Sequence, residues 1–266
     1  MSNPDTKKPA ADKSEAATAS EANTQKSQSK RLVLVATNKG GVGKSTAIIN
    51  IADYLKEREI PFVAFDPDHA NASFARFFAN PDGSRPDFMR LINIADDTSL
   101  DQITRVFDEE DANLVLVDGV GAQQETFMNW IEDIGLFERA KEMDLKITFV
   151  LVVDEDKDTV EQAMAVAGRV EDQVDYLVVK NLKNSEETRI YDGSAARKML
   201  NGALSAKEIT FPKLKGNLVS IIQSESMRLS EAATSEAVYV NDRMRFKRYR
   251  AAIEGELAKV KNLFTA

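Results

Sequence analysis

The sequence of 266 residues contains no cysteine, and this absence excludes disulfide bonds, cysteine-ligated zinc, iron–sulfur clusters and cysteine nucleophiles. A single histidine, His69, excludes metal sites built from several histidines. No apolar run approaches the roughly 20 residues of a membrane-spanning helix, and the first residues lack the apolar segment of a secretory signal. We therefore expect a cytoplasmic protein. Its net charge of −8 disfavours a surface that binds nucleic acid throughout but permits a local basic patch.

Residues 1–30 differ in composition from the rest of the chain. They contain no Leu, Ile, Val, Phe, Tyr or Trp, so they cannot bury enough apolar surface to offset the entropy lost on ordering. We expect a disordered tail over 1–30 and a single domain over 31–266.

Short apolar runs alternate with helix-like stretches from residue 31 onwards. The runs, which predict buried strands, are 31–36, 61–65, 113–117, 147–153, 175–179 and 208–211. The predicted helices are 44–57, 71–79, 99–109, 123–141, 157–170, 193–203 and 233–263. This alternation predicts a doubly wound α/β fold, with a mostly parallel sheet and helices on both faces. In such sheets the binding site lies at the carboxyl ends of the strands.

A glycine-rich loop, KGGVGKST, follows the first predicted strand and precedes the first predicted helix. Backbone N–H groups of such a loop can cradle a phosphate at the positive end of the helix. Lys44 is expected to neutralise the β- and γ-phosphates as the only cation of its own chain at the site. Ser45 is expected to ligate Mg²⁺, and Thr46 to donate to the α-phosphate. The expected nucleotide-binding residues of the loop are Lys39, Gly40, Gly41, Val42, Gly43, Lys44, Ser45 and Thr46.

The start of the loop departs from the ordinary pattern, because Asn38 stands in place of the first glycine and a second lysine, Lys39, follows it. KGGVGKST resembles the deviant P-loop of the ParA/MinD superfamily. The residue pattern over 31–266 is similar to that of short plasmid-encoded partition ATPases and of nucleotide-binding proteins of plasmid stability or conjugal transfer. The resemblance implies slow ATP hydrolysis, an ATP-dependent homodimer, an activating partner protein, and a catalytic Lys39 that acts on the partner's nucleotide. An exposed, solvated lysine is the alternative interpretation.

Two further strands end in carboxylates. The second ends in Asp66-Pro67-Asp68, and the resemblance implies that Asp68 orients the attacking water while Asp66 lies beside the Mg²⁺ shell. The register between the two aspartates remains open, and simple termination of the strand is the alternative. The strand at 113–117 is followed by Asp118 in a Walker B arrangement, which is expected to hold Mg²⁺ through water.

The strand at 175–179 leads into Lys180 and Asn181. By resemblance, Asn181 reads the base and Pro212 lies against it, although Asn181 could instead be a turn residue. The GTPase signature NKxD is absent, which favours ATP over GTP. The predicted cofactors are ATP and Mg²⁺.

The last predicted helix combines an apolar stripe, typical of a core-facing helix, with a basic cluster. The cluster consists of Arg243, Arg245, Lys247, Arg248 and Arg250. The default interpretation is a solvated surface. The resemblance implies a site for non-specific DNA or, as a third interpretation, a membrane-targeting helix, which the short and weakly apolar end of the sequence disfavours.

The sequence thus favours an ATPase that acts in plasmid or DNA partition or in intracellular positioning. The alternatives are a nucleotide-binding accessory protein of plasmid conjugation or stability, a metabolic P-loop enzyme of the dethiobiotin-synthetase type, and a binding module without turnover.

Overall fold

The computed structural model describes residues 1, 29–37, 39–68, 71–110, 112–119 and 123–265. Residues 2–28 of the predicted tail lie outside these ranges, as do Asn38 and His69. The first strand begins at Lys30, one residue before the predicted domain boundary.

In the described part of the chain, seven strands form one sheet in the order β3-β2-β4-β1-β5-β6-β7, and every neighbouring pair is parallel. The strands are β1 (Lys30–Val35), β2 (Val63–Asp66), β3 (Met89–Leu91), β4 (Leu114–Val117), β5 (Leu145–Val153), β6 (Asp175–Asn181) and β7 (Lys207–Phe211). Central β1 pairs with both β4 and β5, so that Leu32 faces Val115 on one side and Ile147 on the other. The predicted doubly wound α/β class is confirmed.

Helices cover both faces of the sheet. They are α1 (Lys44–Lys56), α2 (Asp97–Leu100), α3 (Gln102–Glu109), α4 (Gln124–Asp133), α5 (Leu136–Glu142), α6 (Lys157–Val170), α7 (Arg189–Asp192), α8 (Ala195–Lys198), α9 (Gly216–Glu225), α10 (Leu229–Ala232) and α11 (Val240–Lys259). The described residues also include the 3₁₀ turns Ala75–Phe78 and Lys261–Leu263 and the π turn Met199–Ala203. None of these helices, within the ranges given above, is long and apolar enough to cross a bilayer.

The core consists of two layers separated by the sheet, because successive side chains of a strand point to opposite faces. Leu32 and Leu34 of β1 pack in the layer that α2 to α8 cover. Val33 and Val35 pack in the layer that α1, α10 and α11 cover. Since β1 is the middle strand of the seven, the β1–α1 loop lies at the middle of the sheet's carboxyl edge.

Several element boundaries differ from the predictions. The predicted helix 123–141 is two helices, separated at Gly135, where φ is 58° and the helix cannot continue. The predicted helix 71–79 contains only the 3₁₀ turn from Ala75 to Phe78. Strand β3 and helices α9 and α10 were not predicted, since β3 is only three residues long and α9 buries only Leu218.

Candidate functional site

The β1–α1 loop has a backbone that two of its glycines permit. Gly41 has φ 69° and Gly43 has φ 103°, in the left-handed half of conformational space that other residues rarely adopt. A Cβ on Gly43 would also lie closer than 3.0 Å to Asn181 Nδ2, which donates a hydrogen bond of 2.7 Å to Val42 O. The loop therefore ends at the N-terminus of α1, with its third glycine packed against the end of β6.

Lys44, which is predicted to bind the phosphates, is the first residue of α1, directly after this loop. Its Nζ donates to Lys39 O at 2.6 Å, so the side chain curls back over the loop. Burial lowers the pKa of Lys44, an effect that nearby Asp118 opposes. Gly119 makes this position possible, because a Cβ there would lie 2.5 Å from Lys44 Cδ.

Ser45 and Asp118 form a pair that suits Mg²⁺. Ser45 Oγ donates to Asp118 Oδ2 at 2.7 Å and lies 3.4 Å from Ser73 Oγ. Asp118 is 2% exposed, and burial raises its pKa to about 7 although Ser45 and the Gly119 amide donate to it. A hydroxyl beside a carboxylate, at a loop shaped for phosphates, fits an ion that keeps several waters and takes few protein ligands. Among the described residues there is no group of three or more His, Cys, Asp or Glu side chains that could hold a metal ion.

Asp66 and Asp68 occupy different environments. Asp66 is fully buried, and its carboxylate accepts hydrogen bonds from the backbone amides of Phe74 and Ala75, each at 2.8 Å, and of Asp68 at 2.9 Å. Asp68 is partly exposed, and its carboxylate accepts from the amide of Asn71. Asp66 therefore stabilises the loop after β2 through these hydrogen bonds, whereas Asp68 lies nearer to solvent. Their places in the metal shell and beside the attacking water remain predictions.

Lys39 points away from the phosphate loop of its own chain. Its Nζ lies 2.6 Å from Asp158 Oδ2 and 3.2 Å from Asp156 Oδ2, at the start of α6. Its backbone N–H donates to Gln162 Oε1 at 2.7 Å. The side chain is about one-third exposed, and hydrogen bonding to the two aspartates raises its pKa. Lys39 and Lys44 thus diverge, one towards α6 and one into the loop.

A cavity of about 480 Å³ lies beside the loop, where a nucleoside is expected. Asn181 and Pro212, the two residues predicted to contact the base, both line it, together with Gly43 and Thr46. Its deeper walls are apolar and come from Ile49, Phe77, Ile222, Met227, Leu229 and Tyr249. The structure thus brings the predicted base and phosphate residues to one site, while their individual roles remain predictions.

Three polar residues at this site, Ser73, Lys183 and Asp154, were not predicted from the sequence. Ser73 adjoins Ser45, and Lys183 donates to the carbonyl of Gly41 and lies 3.6 Å from Asp154 Oδ2. Lys44 is therefore not the only cation of its own chain beside the loop. The signal for Lys183 and Asp154 was their position, since one follows β6 and the other immediately follows β5 at the carboxyl edge.

The basic cluster lies on α11, whose buried side carries Phe246, Ile253 and Leu257. Arg250 pairs with Glu254 and with Glu57, just beyond the end of α1, roughly 20 Å along that helix from the phosphate loop. Arg245 pairs with Asp242. Among the described residues, no ion pair involves Arg243, Lys247 or Arg248. Lys247 and Arg248 are exposed, and Arg243 is partly exposed.

Comparison with known proteins places these features in context. Residues 33–260 match the family model described as the CobQ/CobB/MinD/ParA nucleotide binding domain. The chain is 24% identical over 212 residues to Protein MobD of Acidithiobacillus ferrooxidans, covering 76% of this chain and 86% of MobD. Its fold is similar to that of MinD in the MinC:MinD cell division complex of Aquifex aeolicus, with TM-score 0.55, 15% identity and coverage of 88% and 96%. It is also similar to a variant of McdA from Cyanothece in complex with ATP, with TM-score 0.50, 13% identity and coverage of 88% and 97%.

Proposed function

The chain belongs to the CobQ/CobB/MinD/ParA family of nucleotide-binding domains, whose MinD and ParA members are P-loop ATPases, and from this premise we propose that it is a nucleotide-switched positioning ATPase. ATP and Mg²⁺ would join two protomers face to face, slow hydrolysis would separate them, and a partner protein would stimulate turnover. The MinD neighbour was itself solved in complex with a protein, MinC.

The divergence of Lys39 and Lys44 is the observation that carries this proposal. Lys44 curls back over its own loop, where its Nζ donates to Lys39 O. Lys39 Nζ instead forms ion pairs with Asp158 and Asp156 at the start of α6. In that position the Lys39 ammonium group contacts carboxylates at the start of α6 and does not point into the loop of its own chain. It is available instead to a nucleotide held by a second protomer, where a cation stabilises the charge of the transferring phosphoryl group.

Each of the other site residues has a separate role in the proposed nucleotide binding and hydrolysis. Loop amides and Lys44 would bind the phosphates, while Ser45 and Asp118 would hold Mg²⁺, which supplies charge neutralisation at the β- and γ-oxygens. Asp68 would accept a hydrogen bond from the attacking water. Asn181 uses its Nδ2 to hold Val42 O, which leaves Oδ1 to accept from a base. At the 6-position of the purine, an acceptor suits the amino group of adenine and opposes the carbonyl of guanine, so contact with that position would favour ATP over GTP.

Sedimentation with ATP and Mg²⁺ tests the dimer. Lys39→Ala should bind ATP, because Lys44 and the loop amides remain, but should stay monomeric and lose turnover. Asp68→Ala should dimerise and fail to hydrolyse ATP. Lys157→Ala is the matched control, since Lys157 is an exposed lysine of α6 that pairs with Glu161, and it should behave as wild type. Normal dimerisation of Lys39→Ala would point instead to a P-loop enzyme that acts within one chain.

We further propose that the three unpaired cations of α11 bind DNA non-specifically in the ATP dimer. Each phosphate contact contributes about 0.9 to the slope of log affinity against log salt concentration. Replacing Arg243, Lys247 and Arg248 by glutamine should weaken ATP-dependent DNA retention and flatten that slope, while ATP binding survives. Lys259→Gln, on the last turn of the same helix and paired with Glu256, is the control. Unchanged retention in the triple variant would leave the cluster as a solvated surface.

A further inference from the structure

Lys183 is a cation at the phosphate loop that the proposed mechanism does not use. It lies two residues beyond the end of β6, and its side chain is about one-third exposed. Its Nζ donates to the carbonyl of Gly41, in the middle of the loop, and it lines the same cavity as Gly43, Thr46 and Asn181. We propose that Lys183 is a second phosphate-binding lysine, which moves from the Gly41 carbonyl to a phosphate oxygen when a nucleotide binds.

The position of Lys183 in the cavity supports this assignment. Lys183 lines the same cavity as Gly43 and Thr46, which belong to the segment expected to hold the phosphates. Because the ammonium group of a lysine sits on a flexible four-carbon stem, it can turn from the Gly41 carbonyl towards an anion in that cavity. Asp154 Oδ2, 3.6 Å from Nζ, holds the side chain at the rim of the site and so reduces the ordering that binding requires.

The charge balance of the site leads to the same conclusion. A triphosphate carries more negative charge than one Mg²⁺ and one lysine neutralise. Lys39, the other lysine of the loop, is held by Asp156 and Asp158 on α6. Lys183 is therefore a cation of the same chain that is positioned to complement Lys44 before any dimer forms.

This inference rests on the proposed nucleotide binding, and variants of Lys183 test it separately. Lys183→Gln removes the charge but keeps an N–H donor for the Gly41 carbonyl, whereas Lys183→Arg keeps both. We expect Lys183→Gln to weaken ATP and ADP binding about tenfold at low ionic strength, as for loss of one charge-assisted hydrogen bond, with a smaller loss at high salt. Adenosine binding should be unchanged, and Lys183→Arg should restore ATP affinity. Lys215→Gln, an exposed lysine at the start of α9, is the matched control.

Three results would overturn the inference. Wild-type ATP affinity in Lys183→Gln would show that the hydrogen bond to Gly41, rather than the charge, is what matters. Equal losses for ATP and adenosine would show that Lys183 only shapes the cavity, and a thermal melt of each variant separates either result from unfolding. Failure of the wild type to bind ATP would overturn both this inference and the proposed function. Binding of ATP without dimerisation would contradict the proposed function alone.

Discussion

The three glycines of the phosphate loop provide a graded test of its geometry. Gly40 has no atom within 4 Å of the position of a Cβ, and its φ is not positive. Gly41 has the same open surroundings but φ 69°. Gly43 combines φ 103° with a Cβ position that overlaps Asn181 Nδ2. Substitution by alanine should therefore have three different effects on stability.

The expected magnitudes follow from these differences. Gly40→Ala should be neutral or stabilise the protein by up to about 1 kcal/mol, because it restricts only the unfolded chain. Gly41→Ala should cost about 1–2 kcal/mol, the strain of a left-handed residue with a Cβ. Gly43→Ala adds the loss of the Asn181–Val42 hydrogen bond, worth about 0.5–1.5 kcal/mol, to a backbone strain of about 1–3 kcal/mol. Its total cost should be about 1.5–4.5 kcal/mol.

Urea unfolding in the absence of nucleotide measures this series directly, because the midpoint reports stability and the slope reports any change in compactness. ADP titration of the same variants should give the same order, since Gly43→Ala displaces both the loop and the base-reading asparagine. If Gly43→Ala were no less stable than Gly40→Ala, the contact between the loop and the end of β6 would not exist as described.

Three further changes test other parts of the molecule. Lys44→Ala should abolish measurable ATP binding in equilibrium titration, and a change of less than threefold would contradict the assignment of the loop. Phe246→Ala should cost about 3–5 kcal/mol of unfolding free energy because the ring is fully buried, whereas Met244→Ala, on the exposed side of the same helix, should stay within about 0.5 kcal/mol. Burial raises the pKa of Asp53, so ionisation of its carboxyl weakens the fold as the pH rises above its unfolded value of 3.8. The stability advantage of wild type over Asp53→Asn should therefore grow as the pH is lowered from about 7 towards 4, and a gap that shrinks would contradict the sign of this shift.

The sequence predicted the central strands because each carries a strong signal. β1, β4, β5 and β6 are buried on both faces and appear as continuous runs of Val, Leu and Ile. β3 carries no such signal, since it is three residues at the sheet edge with an arginine in the middle. The break between α4 and α5 depended on one left-handed glycine inside a continuous helical pattern. Elements held mainly by tertiary contacts were therefore the ones that periodicity missed.

The residues of the candidate site also fall into two groups, those that a local sequence pattern marks and those that it does not. Lys44, Ser45 and Asp118 could be predicted because a fixed spacing or a strand end marks each of them. The contacts that Lys183 and Ser73 make at the site could not, because they depend on how segments distant in sequence approach in space. Lys183 contacts a residue 142 positions away, and Ser73 contacts one 28 positions away. No local pattern encodes such a contact.

The position of Lys39 raises the question of how it could leave α6 to act across an interface. Asp156 is the N-cap of α6 and accepts from the Asp158 amide, a bond that with Lys39 holds the pKa of Asp156 below its usual range. The positive end of the α6 dipole also favours both carboxylates. Since the helix stabilises these charges by itself, the departure of Lys39 does not leave an uncompensated buried carboxylate. Pairs this exposed contribute little to stability, so α6 holds Lys39 loosely enough for a second nucleotide to compete for it.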